Sequence, residues 1–233
     1  MSTQQRTGAK WGIWEGIALG WILAAFVGGV VATVLLQGTL PLFTFVWLIV
    51  PLIVLLMTKD AGRLGIRSVP GRELLLTTAV NVAVWWGLML IFEPWTHVYR
   101  DLVREAVSGT TPDTTFGWLI RFPGAVGWIG IVLYSGLVTL FAEELFFHGW
   151  LLQLLLRRMK LWSAIVLEAV ILSVPQLIVM LLFPALQGIV WIVIYLWLAV
   201  GVVGGWAAAR TKSIWPSLIA ATVTNLVLTA IVF

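Results

Sequence analysis

The stretch FAEELFFHG, residues 141–149, decides how the fold of this chain is interpreted. It places two adjacent carboxylates, Glu143 and Glu144, within an apolar run that extends from Gly124 to Leu156. An ionised side chain at the centre of a bilayer costs roughly 2.5–3.5 kcal/mol on insertion scales, so such residues are rare and mark functional sites or pair with each other. The two carboxylates are therefore the first candidates for a functional site.

The composition places the chain among the polytopic membrane proteins. Of its 233 residues, 61% are hydrophobic and 10% are charged, and the mean hydropathy is +1.05. Soluble domains carry about 25% charged residues and roughly 45–50% apolar ones. The chain has no cysteine, which excludes disulfides, iron–sulfur clusters and thiolate-bound zinc, and its two histidines limit any histidine-based metal site.

Apolar runs of membrane-spanning length recur along the chain. A transmembrane helix needs about 20 apolar residues to cross about 30 Å of hydrocarbon. Seven runs are candidates, namely about 12–36, 40–57, 73–93, 124–156, 162–183, 187–209 and 213–233. If the N-terminus is cytoplasmic, eleven of the fourteen basic residues lie on the cytoplasmic side, as the positive-inside rule requires. The sequence predicts an all-α transmembrane helical bundle of about seven spans, with residues 1–233 as one domain, the N-terminus inside and the C-terminus outside.

Polar residues on three of these spans are expected at one depth. Glu143, Gln176 and Asn225 each lie thirteen or fourteen residues from the cytoplasmic end of their span, which is roughly 20 Å at 1.5 Å per residue. We expect them to line a shared polar cavity. The spacing leaves a second interpretation open, in which Gln176 and Asn225 only hydrogen-bond helices together.

Three sequence stretches complete the pattern, and together they are similar to one family. They are EELFFHG at 143–149, LSVPQ at 172–176, and ATVTN at 221–225, which follows the phrase SIWPS at 213–217. They resemble the motifs of the CPBP intramembrane proteases, also called the CAAX-protease, bacteriocin-processing or Abi family. The resemblance covers roughly residues 60–233, most strongly 124–233, and implies a helical intramembrane protease fold in a bacterial cytoplasmic membrane.

The resemblance also implies roles for individual residues. Glu143 would be the general base that activates a water molecule, with Glu144 beside it, and Asn225 would donate to the oxyanion. Both roles are physically reasonable, because a buried carboxylate can accept a proton and fixed donors stabilise developing negative charge.

The chain departs from the family motifs at three positions. His148 stands where the family has Arg, and Gln176 and Ala221 stand where it has His. Glutamine can hydrogen-bond a water molecule but cannot take up a proton near neutral pH, and alanine does neither. Losing one oxyanion donor costs roughly 100–1,000-fold in rate. The sequence therefore predicts a compromised proteolytic site, without a metal or another cofactor, because the expected histidine ligands are absent.

Three functions stay open. The first is a pseudoprotease that binds a membrane protein or peptide partner without cleaving it. The second is an active divergent endopeptidase, in which Glu143 and Glu144 work with His148, although His148 can equally serve only to neutralise Glu144 one helical turn away. The third is a membrane subunit that handles protons or a cation through Glu143, Glu144 and Glu168. Nucleic-acid binding is not expected, because the basic residues fall in short loops between apolar runs.

Overall fold

The part of the chain that the computed structural model describes is all helical. It comprises residues 20, 22–24, 27–29, 31, 42–91, 124–131, 141–182, 194 and 196–232, and it contains no strand. The regular elements are α1 (Leu42–Thr58), a 3₁₀ turn (Ala61–Leu64), α2 (Gly71–Ile91), α3 (Ala125–Ile131), α4 (Phe141–Glu144), π1 (Leu145–Leu151), α5 (Leu152–Leu156), α6 (Leu161–Leu182), π2 (Leu196–Gly204), α7 (Gly205–Thr211) and α8 (Trp215–Val232). The predicted all-α fold class is confirmed for these residues.

The ends of several helices follow from local sequence. Ser213 accepts a hydrogen bond at Oγ from the backbone N–H of Trp215 at 3.4 Å, and Pro216 occupies the first turn of α8, where its missing N–H is harmless. Lys59 and Lys212 have positive φ values of 50° and 54°, and these left-handed residues follow α1 and α7 directly.

The outward faces of the helices are strongly apolar. Exposed residues include Leu52 and Met57 on α1 and Leu75 on α2. α2 is long and apolar enough to cross a membrane, and only 17% of its most apolar window is buried within the protein. An apolar helix that the protein itself leaves uncovered is suited to contact with lipid. Within the described residues α2 alone meets this criterion, so the total of seven spans stays a prediction.

The fourth apolar run is too long for one perpendicular helix, so the sequence predicts that it tilts or breaks near Gly149. From Phe141 to Leu156 the chain passes from α4 through π1 to α5 without a break, and Gly149 lies inside π1. π-helical turns are rare and are frequent at functional sites. A second π segment, π2, packs closely on α6, because a side chain at Gly201 would place its Cβ 2.5 Å from Ala169 Cβ. Gly201, Gly204 and Gly205 in the sixth apolar run predict close helix approach, and the contact of Gly201 with Ala169 confirms this for Gly201.

The segment Asp60–Arg67 is partly buried, although its sequence is typical of a surface turn. Its 3₁₀ turn is capped by Asp60, which accepts from the Gly62 N–H at 2.9 Å, and it ends at Gly65 with φ of 68°. Leu64 is only 1% exposed and packs in a small apolar cluster with Leu145 and Ile214. The sequence of residues 63–67 predicts a cytoplasmic surface turn, and this prediction is wrong for Leu64, whose apolar side chain gains from burial in the bundle.

Hydrogen bonds attach the same turn to the start of α8. The backbone N–H of Ile214 donates to Gly65 O at 3.0 Å, and the Ser213 hydroxyl donates to Arg67 O at 2.9 Å. The backbone of Gly149 lies against Leu64 O, and a Cβ at position 149 would come within 2.5 Å of that oxygen. The turn thus joins π1 to α8 next to the Glu-Glu stretch.

Candidate functional site

Glu144 ends α4 with its side chain inside the protein. The side chain is 3% exposed. The Oγ atom of Ser217, on the first turn of α8, lies 2.5 Å from Glu144 Oε2 and 3.0 Å from the backbone oxygen of Ile214. Because a buried carboxyl group is costly without hydrogen bonds, this contact with Ser217 stabilises Glu144 in its position and links α4 to α8.

His148 lies between Glu144 and a second buried acid, Glu168, which belongs to α6. Its Nε2 is 3.8 Å from Glu144 Oε2, and its Nδ1 is 3.0 Å from Glu168 Oε1. Both distances are those of ion pairs, and neither contact has the alignment of a hydrogen bond. His148 and Glu168 are 1% and 0% exposed. The predicted proximity of Glu144 and His148 is present, but the closer partner of His148 is Glu168.

Two consecutive glycines provide the space for this pair. A Cβ at Gly204 would lie 2.7 Å from His148 Nε2, and a Cβ at Gly205 would lie 3.1 Å from Glu168 Oε2. These glycines stand at the junction of π2 and α7, so the backbone itself forms one wall around the two side chains. The prediction that Gly204 and Gly205 permit close approach is confirmed, and what approaches them is a polar pair.

Glu143 differs from its neighbour. It is half-buried, and within the described residues no side chain hydrogen-bonds or forms an ion pair with its carboxylate. Among the described residues, the adjacent acids therefore have different surroundings, because α8 fixes Glu144 and Glu143 has no such contact. An acid without such a contact, as Glu143 is here, can serve as a general base, and it can equally contact a bound partner.

The other predicted site residues lie on α6 and α8. Gln176 is on α6 and Asn225 is on α8, but their side chains lie outside the described part of the structure, so their convergence with Glu143 stays a prediction. Ala221, at the position of the second family histidine, is 1% exposed and belongs to the hydrophobic core. Nothing at this position can donate to an oxyanion.

Sequence reasoning assigned Glu168 only to the proton- or cation-handling function, and it assigned Ser217 to no function. Glu168 was noted as an intramembrane acid, and it lies twenty residues after His148 on the next long helix. A carboxylate in an apolar span is costly to bury, so the sequence indicated that Glu168 needs a partner from another element. Ser217 is the last residue of the SIWPS phrase. A serine near the start of a helix usually caps that helix, so the sequence did not indicate its hydrogen bond with Glu144.

The arrangement can hold protons and hydrogen-bond donors. Within the residues described, no group of three or more His, Cys, Asp or Glu side chains has a geometry that could bind a metal ion. The buried chain of contacts Ser217–Glu144–His148–Glu168 joins α8, α4, π1 and α6. Since carboxylates accept and an imidazole both accepts and donates, the number of protons in this chain decides which of its contacts are attractive.

Comparison with known proteins locates the resemblance in this region. A family model described as type II CAAX prenyl endopeptidase Rce1-like matches residues 125–227. No curated protein and no solved structure matches the chain. The matched segment starts at α3 and includes the complete Ser217–Glu144–His148–Glu168 contact chain. Residues 125–227 are therefore similar to the membrane-associated Rce1-like endopeptidases, and this similarity is consistent with the CPBP family that the three sequence motifs indicated.

Proposed function

We propose that this protein is a CPBP-type membrane protein that binds a membrane protein or peptide partner without cleaving it. The observation that carries the proposal is the burial of Ala221 in the hydrophobic core, at the position of a family histidine. A site without that donor would lose roughly 100–1,000-fold of rate, before the change to glutamine at position 176 is counted.

The surroundings of Glu144 support the same proposal. Its carboxyl group is held by Ser217 and faces His148, and this buried network ties four elements together. Buried polar and ionic groups favour one arrangement of helices in some proteins, and a single arrangement is the property that a binding scaffold needs.

The decisive experiment compares partners that co-purify with tagged wild type, Glu143→Gln and the exposed control Glu73→Gln. We expect one full-length membrane partner at equal yield from all three proteins, because binding does not need a general base. Recovery of partner fragments with the wild type and of the intact partner with Glu143→Gln would contradict the proposal. Recovery of no partner above the level of an unrelated polytopic protein would contradict it as well.

One observation favours an alternative, a divergent intramembrane endopeptidase. Glu143 is half-buried without a hydrogen-bond or ion-pair partner in the described residues, as an uncommitted general base would be. Asn225 would be its remaining oxyanion donor. This alternative predicts partner fragments with the wild type and the intact partner with Glu143→Gln. Loss of those fragments in Asn225→Ala would support the role of Asn225 as the oxyanion donor.

The proposal includes a topology of seven spans with the N-terminus inside, in a bacterial cytoplasmic membrane. The chain has no cysteine, so single cysteines can report sidedness. We expect Thr110→Cys to react with a membrane-impermeant maleimide added outside intact cells, and Lys59→Cys to react only after permeabilisation. Labelling of Lys59→Cys in intact cells would contradict this orientation.

A further inference from the structure

The contacts of His148 with two carboxyl groups require one more proton than a neutral imidazole carries. Both ring nitrogens face a carboxyl oxygen, Nε2 toward Glu144 at 3.8 Å and Nδ1 toward Glu168 at 3.0 Å. A neutral imidazole carries one N–H and one lone pair, whereas an imidazolium carries two N–H groups. With a neutral imidazole and two carboxylates, one unprotonated ring nitrogen would lie close to a negative charge. One additional proton removes this conflict.

Burial of these side chains makes the contact between an unprotonated nitrogen and a carboxylate more unfavourable. The three side chains are between 0% and 3% exposed, so water does not screen them. Breaking a buried pair by removing one charge is strongly unfavourable, because the other charge stays buried without compensation. Glu143 adds a third carboxyl group beside Glu144, and the only other polar group in the contact chain is the Ser217 hydroxyl.

The remaining walls near His148 offer no second base in the described residues. Gly204 and Gly205 cover the pair from π2 and α7 with backbone alone. From α1, Trp47 packs edge-on against Phe147 at 5.5 Å between ring centroids, next to His148 in sequence. The acids of the cluster therefore outnumber its bases by three to one.

We propose that Glu144, His148 and Glu168 form a proton-binding site, in which one bound proton holds π1 against α6. His148 belongs to π1 and Glu168 to α6, so the shared proton lies between two elements. Removing the proton at alkaline pH leaves a neutral imidazole beside a carboxylate and weakens that contact. This inference does not depend on partner binding or on proteolysis.

The test is side-chain ¹⁵N NMR of histidine-labelled protein in detergent, titrated from mildly acidic to alkaline pH. The chain has two histidines, so the His97→Gln variant assigns the His148 signals. We expect both His148 nitrogens to carry a proton at neutral pH. In Glu168→Gln the proton affinity of His148 should fall about tenfold or more, because a facing negative charge is lost. Glu73→Gln, which alters an exposed acid paired with Arg210, should leave it unchanged.

Two results would overturn the proposal. One is a wild-type His148 that is a single neutral tautomer at neutral pH with both carboxyl groups ionised, as judged by the carboxylate bands in the infrared spectrum. The other is an unchanged His148 titration in a folded Glu168→Gln protein. If Glu168→Gln does not fold, Glu144→Gln supplies the same comparison at Nε2, and the wild-type spectrum alone still distinguishes the two protonation states.

Discussion

Glu168→Ala is expected to lower the free energy of unfolding by about 3–5 kcal/mol, the cost of breaking a buried ion pair from one side. The change removes the carboxylate that lies 3.0 Å from His148 Nδ1 and leaves a fully buried imidazole without its closest partner. It also leaves a space at the wall formed by Gly205. Unfolding in mixed micelles of detergent and SDS, followed by tryptophan fluorescence, measures this difference.

Glu73→Ala is the matched control for that variant. Glu73 forms an ion pair with Arg210 at 3.5 Å, but both side chains are more than a third exposed. Exposed pairs contribute about 0–1 kcal/mol, so the control should be close to the wild type. If Glu168→Ala were as stable as Glu73→Ala, the buried pair would have no energetic role, and the account of the site would be wrong.

Gly149→Ala is expected to lower the free energy of unfolding by about 3 kcal/mol. A Cβ at position 149 would lie 2.5 Å from the backbone oxygen of Leu64, which cannot rotate away as a side chain can. Overpacking costs about 1–3 kcal/mol, and displacing the turn would expose Leu64, whose burial contributes about 1.5–3 kcal/mol. The same unfolding experiment measures the effect.

A second glycine on α2 provides the comparison for this variant. A Cβ at Gly87 meets nothing within 4 Å, so Gly87→Ala should be neutral or gain up to about 1 kcal/mol from helix propensity. Equal stability of Gly149→Ala and Gly87→Ala would mean that the 3₁₀ turn is not seated against π1.

The sequence was informative wherever burial of one residue type has a clear cost. Adjacent acids in an apolar run predicted that Glu144 lies in the interior with a partner, and the i to i+4 spacing predicted that His148 comes near it. Glycines in the sixth run predicted close packing, which Gly201 and Gly204 confirm. These inferences need only local spacing and the energetics of burial.

The remaining features depend on contacts between distant segments. Single-sequence spacing could not reveal that Leu64 inserts beside Leu145 and Ile214, because a short polar turn with one leucine also suits a surface. It could not predict π1 either, since no residue preference distinguishes a π turn from an α turn here. Nor could it identify Glu168 as the partner of His148, because that pairing is set by the packing of α6 on π1.

A double-mutant cycle on His148 and Glu168 tests the central claim most directly, namely that these buried side chains interact across π1 and α6. The unfolding free energies of wild type, His148→Gln, Glu168→Gln and the double variant are compared. The account predicts a coupling free energy above about 0.5 and up to about 3 kcal/mol, the range for residues in contact within one ion-pair network. Additivity of the two single changes to within about 0.5 kcal/mol would contradict it.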